Sequence, residues 1–114
     1  MADNFERYPA MLIPCIPRFS DGPSTFEVMS GAGSILPGAW SFMLAARDHG
    51  LGTTWTTIHL MREREAADLL GIPFDEYMQC ALITAGYTVG TKFKPANRST
   101  IDSVTHRNDW TPRT

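Results

Sequence analysis

The sequence is poor in charge and in the residues that usually mark a dedicated chemical site. Asp, Glu, Lys and Arg make up only 19% of its 114 residues, ten basic against twelve acidic, for a net charge of −2. A balance of this kind lacks the clustered basic face that a phosphate backbone requires, which argues against nucleic acid as a partner. Cysteine is scarce. Cys15 and Cys80 lie in apolar runs with no CxxC spacing and no adjacent histidine, so they read as buried reduced thiols rather than as a metal or redox pair. His59 and Glu63 stand four apart, but three histidines scattered through the chain do not make a zinc site, and no metal is expected. The uncharged stretch Gly31 to Ala46 contains Ser34, Pro37, Gly38 and Ser41, short of the roughly 20 apolar residues of a membrane span. Acidic residues in the first seven positions do not fit a signal peptide, so the expected location is cytoplasmic, with no membrane partner. Phosphate-loop, HExxH and GxSxG patterns are absent. Gly31-Ala32-Gly33 precedes a helical pattern, but Leu36 stands where a dinucleotide fingerprint needs its third glycine.

What is present is apolar and aromatic: 43% hydrophobic residues and 11% Phe, Trp and Tyr, enough to pack one small domain spanning 1–114. Residues 2–7 read as the end of a helix, and Pro9 to Ile16 as a short apolar strand closed by prolines. Residues 17–33, mixing Pro, Gly, Ser and Asp, are expected to form a long loop. A helix is predicted from Ser34 as N-cap, with Pro37 in its first turn, to about His49, where Gly50 supplies a left-handed cap. Its two sides, one with Leu36, Trp40, Met43 and Leu44, the other with Ile35, Ala39, Phe42 and Ala46, are both apolar, the pattern of a central helix covered from several directions. Thr53 to Ile58 reads as extended. Met61 to Leu70 reads as an amphipathic helix with Ala66, Leu69 and Leu70 inward and its Arg/Glu residues solvated, ending at Gly71. Tyr77 to Val89 is a second long strand, and 91–114 a polar tail. This order predicts an α+β fold in which the central helix packs on a small, mainly antiparallel sheet.

Two segments carry candidate chemistry. Thr53 to Thr57 presents five hydroxyl or indole donors in succession after Gly50 and Gly52, and could satisfy the polar edge of a flat ligand. Between Thr91 and Ser99 lie Lys92, Lys94 and Arg98 with no acid, a locally positive stretch that could take a phosphate, best held by the Arg98 guanidinium. The strings LAARDHGLGTTWTTI, REAADLLGIP and GYTVGTKFKPANR, taken together, resemble the nitroreductase family of FMN-dependent oxidoreductases, which includes the iodotyrosine deiodinase branch. The likeness extends from about Pro9 to Trp110.

That resemblance implies an α+β sandwich, an intertwined homodimer, FMN at the subunit interface, NADH or NADPH as reductant, and reduction of small electrophilic organics by ping-pong hydride transfer. By position, Trp55, Thr56 and Thr57 match the family segment along the isoalloxazine ring. The threonine matching Thr57 donates to flavin N5 in the deiodinase-like branch, which bears on whether one electron or a hydride moves. Arg98 matches the phosphate-binding arginine, Lys94 lies close to it in sequence, and Asn97 stands where many relatives carry a cation. The resemblance also implies that the chain corresponds to the C-terminal part of the family domain, with the N-terminal half that bears an Arg-Arg-Ser-x-Arg clamp absent and Met1 an internal start. The alternative is a catalytically inactive half-domain that serves as a dimerisation module.

Overall fold

The computed structural model describes residues 2–20, 22–90 and 92–110. A short 3-10 helix, Ala2–Arg7, leads into strand β1 (Ala10–Leu12) and then β2 (Cys15–Pro17). The predicted single strand from Pro9 to Ile16 is thus two, because Pro14 has no N–H to continue a ladder and the chain changes sheet there. Tyr77 to Val89 divides in the same way into β4 (Tyr77–Gln79) and β5 (Leu82–Tyr87). With β3 (Leu51–Thr56), these strands form two antiparallel sheets, one ordered β1-β5-β3 and one pairing β2 with β4. The architecture is the expected α+β one, with small antiparallel sheets.

Helix α1 spans Thr25–Asp48, so residues 25–33 are helical and the predicted loop 17–33 is cut to its first part. The start signal lies earlier than Ser34. The Ser24 hydroxyl accepts from the Glu27 backbone N–H at 3.2 Å, and the Ser24 N–H donates to the Glu27 carboxylate at 2.8 Å, a reciprocal capping box. Ser34 instead donates its hydroxyl to the Gly31 carbonyl inside the helix. Pro37 sits mid-helix on the exposed side, where the Gly33 carbonyl that loses its partner can meet water. The predicted end holds: His49 caps, and Gly50 at φ +77° takes the left-handed position while its N–H donates to the Arg47 carbonyl. Gly31 is where β2 and its following loop approach the helix. A Cβ there would meet Ile16 Cδ1 at 2.7 Å and Phe19 Cζ at 2.9 Å.

The uncharged run extends from Val28 to Ala46, and a helix of 24 residues is long and apolar enough to cross a membrane by length and composition. The argument from insufficient length against a span therefore falls. Within this chain, one side of α1 packs on β3 and β2, burying Ala39 and Ala46. Much of the predicted burial is not met inside one chain: Trp40, Phe42 and Leu44 are 56%, 38% and 55% exposed.

The core lies on β5. Ala81 and, on β5, Leu82 to Ala85 are all buried, with Ala81 and Ile83 at 0% exposure, and β5 is the middle strand, paired along both edges. A second anchor holds the smaller sheet. Helix α2 (Glu63–Leu70) follows a 3-10 turn over Ile58–Arg62 and packs through Ala67, which is fully buried, while Leu69 and Leu70 face solvent. This rotates the helix away from the predicted inward face of Ala66, Leu69 and Leu70. The cause is Glu63, expected to be solvated, which is drawn to the sheet. Its carboxylate accepts from Arg18 at 2.8 Å and from the Gln79 backbone N–H at 2.9 Å, while the Gln79 side chain donates to the Glu63 carbonyl at 3.0 Å. Arg18 also donates to the Phe74 and Tyr77 carbonyls, and Phe74 lies between the guanidinium groups of Arg18 and Arg64, 3.8 and 4.0 Å from its centroid.

Candidate functional site

The threonine-rich strand forms because β-branched and aromatic side chains suit an extended backbone that pairs along its whole length. β3 matches β5 from Leu51 opposite Tyr87 to Thr56 opposite Leu82, with Trp55 opposite Ile83. β3 is the edge strand of its sheet, so its outer edge has no β neighbour among the described residues. Trp55 and Thr56 are half-buried and Thr57 is exposed. The Thr56 hydroxyl accepts from the Ile58 N–H at 3.2 Å, which leaves its own proton to donate. Thr57 opens the following 3-10 turn through its carbonyl, which accepts from Leu60, while its side chain makes no capping bond. Its hydroxyl is thereby available to an incoming polar atom.

Lys94 and Arg98 lie on the irregular segment after β5, both exposed. Arg98 spends one guanidinium N–H on the neighbouring Asn97 carbonyl at 3.2 Å, which leaves donors for an anion. No hydrogen bond, ion pair or ring contact among the described residues joins Lys94 or Arg98 to Trp55, Thr56 or Thr57. Trp55 and Thr56 at the end of β3 and Thr57 just after it are together by adjacency, and the two cations lie on a separate segment. The donor set fits a flavin mononucleotide in kind: a free hydroxyl and an indole for the ring, a guanidinium and an ammonium for the phosphate.

A cleft of about 770 Å³ opens between α1 and the β3/β5 face. Thr53, Thr54 and Thr84 contribute to its lining, with Trp40, Met43 and Leu44 from α1, whereas Trp55, Thr56 and Thr57 do not. Arg47 and Phe93 also line it, the Arg47 guanidinium 5.5 Å from the Phe93 ring centroid. The signal in the sequence was the apolar helix side of Trp40, Met43 and Leu44, which was expected to be covered and instead forms one wall.

Beneath the smaller sheet lies a group of titratable side chains. Burial pushes the Cys15 thiol up, with the Glu63 carboxylate adding to the effect, and burial does the same for Cys80, reinforced by Cys15 and Glu63. Both are free cysteines, half-buried. Burial holds His59 below its usual value against the opposing pull of Glu63, and both its ring nitrogens are shielded and without a hydrogen-bond partner. Among the described residues, no set of three or more His, Cys, Asp or Glu is placed to hold a metal.

The family model described as the nitroreductase family matches residues 2–87, three quarters of the chain. The match includes β1 to β5, α1 and α2, and ends before Lys94 and Arg98. Comparison with curated proteins and with solved structures gave no significant match.

Proposed function

The chain belongs to the nitroreductase family, and from that premise we propose that it is an oxidoreductase that binds FMN on the Trp55–Thr57 segment and uses NADH or NADPH to reduce small electrophilic organics. The family match over residues 2–87 carries this reading, and the free Thr57 hydroxyl supports it. Bound flavin supplies the hydride and electron chemistry, and a ping-pong order follows from reductant and substrate using it in turn. The chain's own residues bind and orient. Trp55 presents an aromatic surface beside the ring, the Thr56 and Thr57 hydroxyls address its polar edge, and Thr57 holds a proton toward N5. Arg98, with Lys94, grips the phosphate, each charge-assisted hydrogen bond contributing about 1.5–3 kcal/mol net. A second copy of the chain covers the open sides of α1, making a homodimer.

One observation favours a second reading, an interaction module without turnover: the apolar side chains that α1 leaves exposed. A flavin titration separates the two. The oxidoreductase reading expects FMN to bind with a visible band near roughly 450 nm that bleaches on anaerobic addition of NADH or NADPH. It expects Arg98→Ala to weaken binding about tenfold or more, equivalent to about 1.4 kcal/mol. Protein that takes up no FMN leaves only the module.

A further inference from the structure

We propose that His59 is a pH-operated latch on the turn that follows Thr57: the neutral ring holds the turn closed, and protonation releases it and moves the Thr57 hydroxyl from its place beside the flavin. The flavin consequence rests on the FMN site proposed above, whereas the latch itself does not. His59 belongs to the 3-10 turn Ile58–Arg62, two residues after Thr57 and four before Glu63. The chain is tied on both sides of Thr57. The Thr57 carbonyl accepts from the Leu60 N–H at 3.0 Å, closing a loop around Ile58 and His59, and the Ile58 N–H donates to the Thr56 hydroxyl at 3.2 Å. A displacement of His59 is passed to Thr57 through this loop.

The ring sits where its charged form has no answer. Nδ1 and Nε2 are both shielded from solvent, with no hydrogen-bond partner among the described residues. A neutral imidazole leaves one donor and one acceptor unmet there, while an imidazolium would leave two donors and a charge. The neighbouring groups are already engaged. Helix α2 packs against the turn, and its acid toward His59 is Glu63, whose Oε1 accepts from Arg18 at 2.8 Å and from the Gln79 N–H at 2.9 Å. Glu65 pairs with Arg62 and Arg64 with Asp75, and Asp68 is exposed. Cys15 and Cys80, which also feel Glu63, are held as uncharged thiols by burial. Gln79 is only 2% exposed and its Oε1 lacks a partner too, so the surroundings of Glu63 hold three orphaned polar atoms, each of which would gain from water. Burial lowers His59 from its ordinary 6.5 against the pull of Glu63, which means that the closed turn binds the proton more weakly than an open one. The open population therefore grows as pH falls from 6.5 to the closed-turn value, by up to about tenfold per pH unit for one proton, and then levels off.

NMR of the full chain without FMN, from about pH 7.5 to about pH 5, reads the His59 ring and the backbone amides of Thr57 and Leu60. The expected result is one midpoint, below 6.5, shared by the ring and those amides, with the amides of Ile83 to Ala85 flat as the report of an intact fold. His59→Phe and His59→Asn, one apolar and one polar, do not ionise in this range, and in both the Thr57 and Leu60 amides should stay flat. A ring that titrates while those amides stay still overturns the latch, as do amides that titrate alike in wild type and both variants, or a ring midpoint at or above 6.5. FMN titrations at about pH 7.5 and about pH 5.5 read the consequence for the site. The flavin phosphate itself takes up a proton near about pH 6, so the wild type is compared with His59→Phe, and its loss of affinity on acidification should be about threefold or more the greater. An equal loss in the two overturns the link from His59 to the flavin. Protein that takes up no FMN at either pH sinks the flavin reading alone, because the amide titration still decides the latch.

Discussion

Leu82–Ala85 on β5 and Ile35–Ala46 on α1 are both dense in apolar residues, yet they end in opposite situations. Each of the four β5 residues is buried, whereas α1 buries only Ala39 and Ala46 and shows Trp40, Phe42 and Leu44 to solvent. The difference is positional. β5 is the middle strand of its sheet, so neighbours from the same chain cover its edges. α1 lies across the sheet and has one covered side. Hydrophobic content specifies that a surface is to be covered, and topology decides whether the same chain does the covering.

The largest effect that sharpens this contrast is at Ile83, fully buried opposite Trp55. Ile83→Ala is expected to cost about 2–5 kcal/mol in urea unfolding, the range for a core cavity. Next is Glu63→Ala, which leaves Arg18 and the Gln79 N–H without their acceptor. It should destabilise by about 2–3 kcal/mol in the same measurement, since hydrogen bonds to charged groups are at stake. Ser24→Ala removes the capping box of α1 and is expected to cost about 1 kcal/mol. Smallest is Leu44→Glu on the open helix side, expected within about 0.5 kcal/mol of wild type for the single chain while reducing self-association. A cost at Leu44 as large as at Ile83 would break the comparison.

Two titrations extend it. Glu27 is held below the ordinary carboxylate range by the Ser24 backbone N–H first and the Ser24 hydroxyl second. Its contribution is present above the unfolded value of 4.5 and is lost as pH falls through the lower folded value, so Glu27→Gln, which removes the titrating group, should flatten the acid limb of a stability-pH curve. His59 is also depressed, but as a base. Below pH 6.5 the unfolded chain takes up a proton that the folded chain resists, so stability falls with falling pH until the folded value is reached. His59→Phe should remove that component, measured by urea midpoints between about pH 7 and 5.

The α+β class, the C-terminal cap of α1 at His49 and Gly50, and the extended Thr53–Thr56 segment were legible because each rests on a local signal. The start of α1 was also written locally, in Ser24 and Glu27, but Pro37 offered a competing first-turn position, because proline inside a helix loses a hydrogen bond and ordinarily marks a boundary. Glu63 was not legible, since a carboxylate in an Arg/Glu run reads as solvated. Only the fold brings Arg18, 45 residues earlier in the chain, to meet it. The cleft was hidden for the same reason: it exists between elements, and no residue of it is unusual alone. Trp55, Thr56 and Thr57 were singled out as neighbours in sequence and remain so at the end of β3 and the turn that follows it, while no hydrogen bond, ion pair or ring contact among the described residues joins Lys94 or Arg98 to them.

Sedimentation velocity at micromolar concentration tests most directly whether α1 is finished by a second chain. The account predicts a species of twice the chain mass for wild type, and a monomer for Trp40→Glu/Leu44→Glu with amide exchange across Ile83 to Ala85 unchanged. A stable wild-type monomer under the same conditions would contradict it.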